Sequence, residues 1–153
     1  MFFATELDKL GCMSTTGTRD AVAVFCDATR VRDIDRIVST LAPDAELLSP
    51  LSGRMVFRGR DDLRVLLGAV YGGLSNLVWR EVIGEGATRV AVSDARIAGV
   101  TITDAMVLEL DDAGLIVRIR PHLRPWLAIT LFALILGPKI ARHPGVLRRA
   151  LRR

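Results

Sequence analysis

The chain has 153 residues, half of them apolar and a quarter charged, which bounds it to one domain with enough apolar residues to build a core. Its net charge of +4 is uneven: six Lys and Arg and no acid lie between Lys139 and Arg153, leaving −2 for residues 1–138. The basic character is a tail without interleaved aromatics, which argues against a nucleic-acid face.

Cys12 and Cys26 lack metal-ligand spacing and read as reduced thiols of a cytoplasmic protein, not as a disulfide framework. Glu6, Asp8 and Lys9 interrupt the N-terminal run, so no secretory signal is read. Met13 would also serve as a start. Residues 1–12 are expected to be dispensable, and residues 1–17 to form an extension outside the core.

Thr18 can cap a first helix, with Asp20 in its first turn. Val22, Phe25, Cys26 and Thr29 follow at i, i+3, i+4 and i+7, one helix face. Asp33 is the next cap, and Ile34, Ile37, Val38 and Leu41 repeat the spacing until Pro43-Asp44 ends it. Ala45–Ser49 reads as a short strand, Ser52-Gly53 as a turn and Met55–Arg58 as a second strand. Gly59 breaks that strand, and Asp61 and Asp62 occupy the first turn of a third helix. Its buried face is Leu63, Leu66, Leu67 and Val70, and Gly72-Gly73 ends it. From Leu77 the period becomes two: Leu77–Ile83, Arg89–Ile97, Thr101–Leu110 and Leu115–Leu123 read as four strands. Their short connections require antiparallel neighbours. Helices followed by such a sheet predict an α+β fold.

If Ala98-Gly99 is a two-residue hairpin turn, Ile97 pairs with Val100, Ala95 with Ile102, Ser93 with Asp104 and Ala91 with Met106. Paired residues share a face. One face is then Ala91, Ser93, Ala95, Ile102, Asp104, Met106 and Leu108, and the other carries Val92, Asp94, Arg96, Thr101, Thr103, Ala105 and Val107.

The order PDAELLSP, FRGRDDL, LDDAGLIVRI resembles the nuclear-transport-factor-2-like superfamily, in particular its polyketide-cyclase-like (SnoaL-like) branch, over residues 18–124. The resemblance implies a cone-shaped roll: three N-terminal helices against a curved, mostly antiparallel sheet around a deep pocket. It also implies dimerisation through the outer sheet face. Comparison with the steroid isomerases of that superfamily turns the Ala91 face inward and leaves Asp94 and Arg96 as an outer pair. The expected pocket lining is Phe25, Ala91, Ser93, Ile102, Asp104, Met106, Leu108, Ile119 and Leu123.

The same comparison places Ser49, Phe25 and Met106 where a steroid isomerase carries its proton-shuttling acid, its tyrosine and its oxyanion-binding acid. Pro121 stands where an epoxide hydrolase needs an acid, and its Arg-x-Asp pattern occurs only reversed, as Asp94-Ala95-Arg96. Both chemistries are therefore rejected for this chain. Asp104 is the one ionisable group placed inside. Desolvation there would raise its pKa and suit it to acid–base work. Ser93 would orient it, and Ser49 would hydrogen-bond a ligand oxygen. The competing reading gives Asp104 a structural bond to Ser93 or to a backbone amide, or exposes it through a register shifted by one.

His122 and His143 are the only histidines, too few for a histidine metal site, no carboxylate–histidine spacing supports one, and no cofactor is expected. His122 reads as a rim residue, and Trp79 and Trp126 as core or interface. Pro125 opens a helix, Trp126–Leu136, that is apolar on every face and, at eleven residues, short of the roughly 20 that span a bilayer. Gly137-Pro138 is expected to break it before a basic amphipathic end, so residues 125–153 form a helix-and-tail extension. The helix either covers the cone, with Trp126, Leu127, Ile129, Leu131, Phe132, Leu134, Ile135 and Leu136 buried, or meets a membrane with the arginines on anionic lipid. Two function classes follow. One is a binder of a small apolar molecule, with lyase, isomerase or cyclase chemistry. The other is a non-catalytic association module, a homodimer or a peripheral membrane protein.

Overall fold

The computed structural model describes residues 20–152, so the Thr18 cap and the N-terminal extension lie outside the described residues. Asp20 is itself the N-cap of α1 (Ala21–Val31), accepting from the Val22 amide at 3.3 Å, and is not a first-turn residue. The expected face of α1 is buried, with Phe25 and Val22 fully so. Asp33 caps α2 (Ile34–Ser39) through the Arg36 amide.

This helix stops earlier than its spacing suggests. Thr40 closes it by bonding back to Ile37, and Leu41 already belongs to β1 (Leu41–Leu48), where it pairs with Ile116. Pro43 has no amide to offer a ladder. It falls within the register shift of β1 between Leu41 and Glu46.

β2 (Val56–Arg58) returns antiparallel to β1, and α3 (Arg60–Gly73) follows Gly59, whose φ of 82° is a glycine conformation. Next come β3 (Ser75–Ile83), β4 (Thr88–Ile97), β5 (Val100–Leu110), β6 (Ile116–Arg120) and β7 (Leu123–Arg124). The expected single last strand is thus two pieces, split at Pro121-His122. The sheet order is β2-β1-β6-β5-β4-β3, with β7 on β5; only β1–β6 is parallel. Register shifts in β1, β3 and β5–β6 curve this sheet around the helices. The result is the expected α+β cone.

The β4–β5 hairpin has the register derived from its turn, from Ile97–Val100 through Ser93–Asp104 to Ala91–Met106. Ala98 and Gly99 both have positive φ, 47° and 81°, which matches the twist of a two-residue hairpin. Ala91, Ala95, Ile102, Met106 and Leu108 are buried on the inner face. Outside, Asp94 bonds Arg80 at 2.8 Å and Thr103 at 2.7 Å, so its ion partner is Arg80 and not Arg96. Those two bonds hold the Asp94 carboxyl below its usual range.

α4 (Trp126–Ala141) does fold back over the cone, but Gly137-Pro138 does not break it. Leu136 and Ile140, one turn apart on either side of the pair, are both buried, and that packing outweighs the amide bond Pro138 lacks. Only the stripe Ala128, Phe132, Leu136 and Ile140 is buried; Trp126, Leu127 and Leu134 are exposed, contrary to full coverage of the helix. α5 (Pro144–Leu151) then turns back, with Val146 and Ala150 buried. Arg149 closes it onto α3: Nε and a terminal nitrogen meet both oxygens of buried Asp62, the former at 2.9 Å. A fork-to-fork pair of this kind fixes geometry as well as charge. Arg149→Met leaves the buried carboxylate without its partner and should lower the melting temperature by about 3–6 °C in a thermal unfolding scan. An unchanged melting temperature would show that α5 is not held through this pair.

Candidate functional site

The curved sheet and its helices enclose a cavity of about 230 Å³. Ser93, Ala95, Ile102, Asp104 and Met106 form the sheet wall, because they share the inner face of the β4–β5 hairpin. α3 contributes Leu66, Leu67, Val70 and Tyr71 from one side, and α4 contributes Phe132 and Leu136 as a roof. The segment Ser49–Leu51 forms the lip opposite Gly137 and Ala141. Leu51, Gly137 and Ala141 are exposed, so the mouth opens between the β1–β2 connection and the end of α4.

Four polar side chains interrupt this apolar lining: Ser49, Tyr71, Ser93 and Asp104. Asp104 is half-buried, between Ser93 on β4 and Leu123 on β7. Its Oδ1 accepts from the His122 backbone N–H at 2.9 Å. Burial pushes its pKa up from 3.8 to about 6, outweighing the opposing His122 amide bond and the His122 charge. The two readings of this acid therefore meet in one residue, which bonds a backbone amide and still faces the cavity. Among the described residues Ser93 makes no bond to it.

Tyr71 is the polar wall residue that the helical pattern of α3 passed over. It is the chain's single tyrosine and stands four residues after Leu67, on the same buried face. Burial holds its phenol well above the ordinary value, and the neighbouring charges of Asp104 and Cys26 act in the same direction. Ser49 Oγ accepts from the Leu51 amide at 3.2 Å, which shapes the lip and leaves its O–H free to donate.

Of the residues expected to line a pocket, Ser49, Ser93, Ile102, Asp104, Met106 and Leu123 border the cavity. Phe25, Ala91, Leu108 and Ile119 do not. They are fully buried in solid core, where Phe25 packs edge-on to Tyr71 and Trp79, each ring centre 6.4 Å away. The inner face is longer than the hollow, and its β6 end is filled by side chains. His122 is exposed, and its Nδ1 lies 3.1 Å from the Ala105 carbonyl oxygen. Trp79 is core, bonded to Thr29 at 2.9 Å, whereas Trp126 is exposed. Burial pushes the Cys26 thiol up to about 12, which makes it a structural thiol. No group of three or more His, Cys, Asp and Glu able to hold a metal occurs among the described residues.

No protein-family model matches the sequence, and no curated protein does. Solved structures do match. An uncharacterised protein with a cystatin-like fold from Silicibacter pomeroyi DSS-3 superposes with a TM-score of 0.79 at 21% identity, over 85% of this chain and 93% of that one. A steroid delta-isomerase from Pseudomonas aeruginosa superposes with a TM-score of 0.73 at 20% identity, over 86% and 99%. The chain has the nuclear-transport-factor-2-like fold. A putative polyketide cyclase from Sinorhizobium meliloti shares this fold with a TM-score of 0.57 at 22% identity, over 69% of this chain and 95% of that one. α4 and α5 lie as a roof and a brace on the open side of the cavity.

The raised pKa of Asp104 makes stability depend on pH. Its folded-state value of about 6 lies above the unfolded 3.8, so the native state binds this proton more tightly. That contribution is complete below about pH 4 and is lost as pH rises through about 6. Asp104→Asn keeps an oxygen for the His122 amide but carries no charge. It should be more stable than the parent by about 1–3 kcal/mol at pH 8, with the gap closing at pH 4, in chemical denaturation. A gap independent of pH would mean that Asp104 is not desolvated.

Proposed function

We propose that the protein binds a small apolar molecule in the cavity and moves a proton on it, as an isomerase, lyase or cyclase does. The carrying observation is a carboxyl with a pKa pushed up to about 6 that is the one carboxylate on a mostly apolar cavity lining. Near neutral pH it is ionised and yet basic enough to take a proton from carbon next to a carbonyl. The Tyr71 hydroxyl, on the same cavity, is the donor for the carbonyl oxygen as charge develops there. Protonated Asp104 then returns the proton to another carbon of the same molecule, so the residue ends as it began. Isomerase and polyketide-cyclase folds among the structural neighbours support this class of reaction.

Ser49, Phe25 and Met106 lack the groups that a steroid isomerase carries at those places, which excludes that set of residues but not a proton transfer between carbons, and here the transfer rests on Asp104 and Tyr71 instead. A hollow of about 230 Å³ falls below the roughly 300–1,000 Å³ usual for drug-sized ligands, which favours a one- or two-ring molecule over a four-ring one.

2-Naphthol serves as a fluorescent probe of this size. It should bind more tightly as pH rises through about 6, because its O–H then meets a charged acceptor. Asp104→Asn should flatten that dependence, and Ala133→Phe, at the cavity wall, should weaken binding at every pH. Turnover of a small β,γ-unsaturated ketone to its conjugated isomer should fall by on the order of 10²–10⁴ in Asp104→Asn. Naphthol binding that ignores both substitutions would sink the cavity as the site. Binding without turnover would leave a binding protein.

A further inference from the structure

Among the described residues the outer side of α4 has no partner. Trp126 is 76% exposed, Leu134 66% and Leu127 46%. Leu127, Leu134 and Ala141 are seven residues apart and stand in one stripe along the helix, away from the buried Ala128–Ile140 stripe. The stripe runs into the cavity mouth, because exposed Ala141 and Gly137 also line the cavity. Such a continuous apolar surface is unusual on a protein facing only water.

Charge indicates what covers it. No Asp or Glu follows Asp112 in the sequence. Arg118, Arg120 and Arg149 are taken up by Glu46, Glu109 and Asp62. Arg142, Arg148 and Arg152 are exposed and form no ion pair among the described residues, while Arg124, also exposed, lies near enough to Asp94 to help lower its pKa. Arg124 precedes α4 and Arg142 follows it, so the apolar stripe is bracketed by cations. A second copy of the chain packed symmetrically on this face would bring like charges together. An anionic bilayer accepts both the leucines and the arginines, and an exposed tryptophan suits its interface. Among the described residues no single helix is long and apolar enough to cross a membrane, and α4 and α5 meet at 113°. The arrangement suits a helix lying along a surface.

We propose that the outer stripe of α4 docks the protein on anionic lipid, with Trp126, Leu127 and Leu134 at the acyl boundary and Arg142, Arg148 and Arg152 among the headgroups. The cavity mouth then opens toward the bilayer, from which an apolar ligand can enter. That consequence rests on the function proposed above; the docking does not.

The test is sedimentation of the full chain with phosphatidylcholine vesicles with and without phosphatidylserine. Binding should be on the order of tenfold or more tighter with phosphatidylserine, should weaken with added salt, and should shift Trp126 fluorescence to the blue. Leu127→Gln with Leu134→Gln should abolish it without changing circular dichroism or melting temperature, since both side chains already face water. Arg142→Gln, Arg148→Gln and Arg152→Gln together should remove the preference for phosphatidylserine. No sedimentation with either vesicle overturns the proposal, as does a leucine variant that binds like the parent. A dimer that the leucine variant dissociates, with no vesicle binding, assigns the face to a second copy instead. 2-Naphthol binding by the leucine variant separates the two proposals: naphthol binding retained while the parent ignores vesicles removes only the docking.

Discussion

The inner face of the β4–β5 hairpin depends on two residues of turn. Ala98 and Gly99, both at positive φ, set Ile97 opposite Val100, and from there every second residue is committed to one side. A slip of one residue would turn Asp94 and Arg96 into the cone and put Ser93 and Asp104 on water. The cavity wall, the raised pKa of its acid and the apolar character of the hollow all follow from that register. Curvature then decides how much of the face is hollow. Near α3 and α4 the face stands away from the helices, while beside β6 it is filled by Leu108 and Ile119.

Two carboxylates in this fold are placed among apolar groups in opposite ways. Asp62 is buried against a guanidinium that matches it oxygen for nitrogen, and the pair joins α3 to α5. Asp104 receives one backbone N–H and no salt bridge, and burial outweighs the opposing charge of His122. The paired acid is committed to structure, because its charge is already answered. The other retains an unanswered charge beside apolar carbon, which is the condition that moves a proton affinity toward neutrality. Tyr71 feels the same surroundings, which is why the charge of Asp104 contributes to holding its proton in place.

The parts of the molecule that could be read from sequence are those governed by local rules. Helix faces at 3.6-residue spacing, the Asp33 cap and the hairpin register depend on neighbours in the chain, and they stand where the pattern put them. The misread places depend on distant partners. Leu41 fits the α2 spacing as well as it fits a strand, and only its ladder to Ile116, seventy-five residues on, makes it strand. Likeness to a family places Phe25 on the cavity, yet the hollow begins beyond the Tyr71 ring that packs against it. Tyr71 could have been found, since it extends the buried face of α3 by one turn and is the only phenol in the chain.

α4 shows why composition alone cannot decide what an apolar helix does. A helix apolar on all sides is usually buried on all sides. Here Pro125 redirects the chain after β7, and one stripe is enough to roof the cavity with Phe132 and Leu136. Among the described residues the cone has no further surface to offer the opposite stripe, because α5 lies only at the end of the helix and is itself pinned to α3 by Arg149. Leu127 and Leu134 are thus left out by geometry and not by polarity. Were this stripe meant for water, replacing its leucines with polar residues would carry no packing penalty. The same helix that closes the cavity therefore presents a second apolar surface continuous with its mouth, so a single element links what the cavity can hold to where the protein can rest.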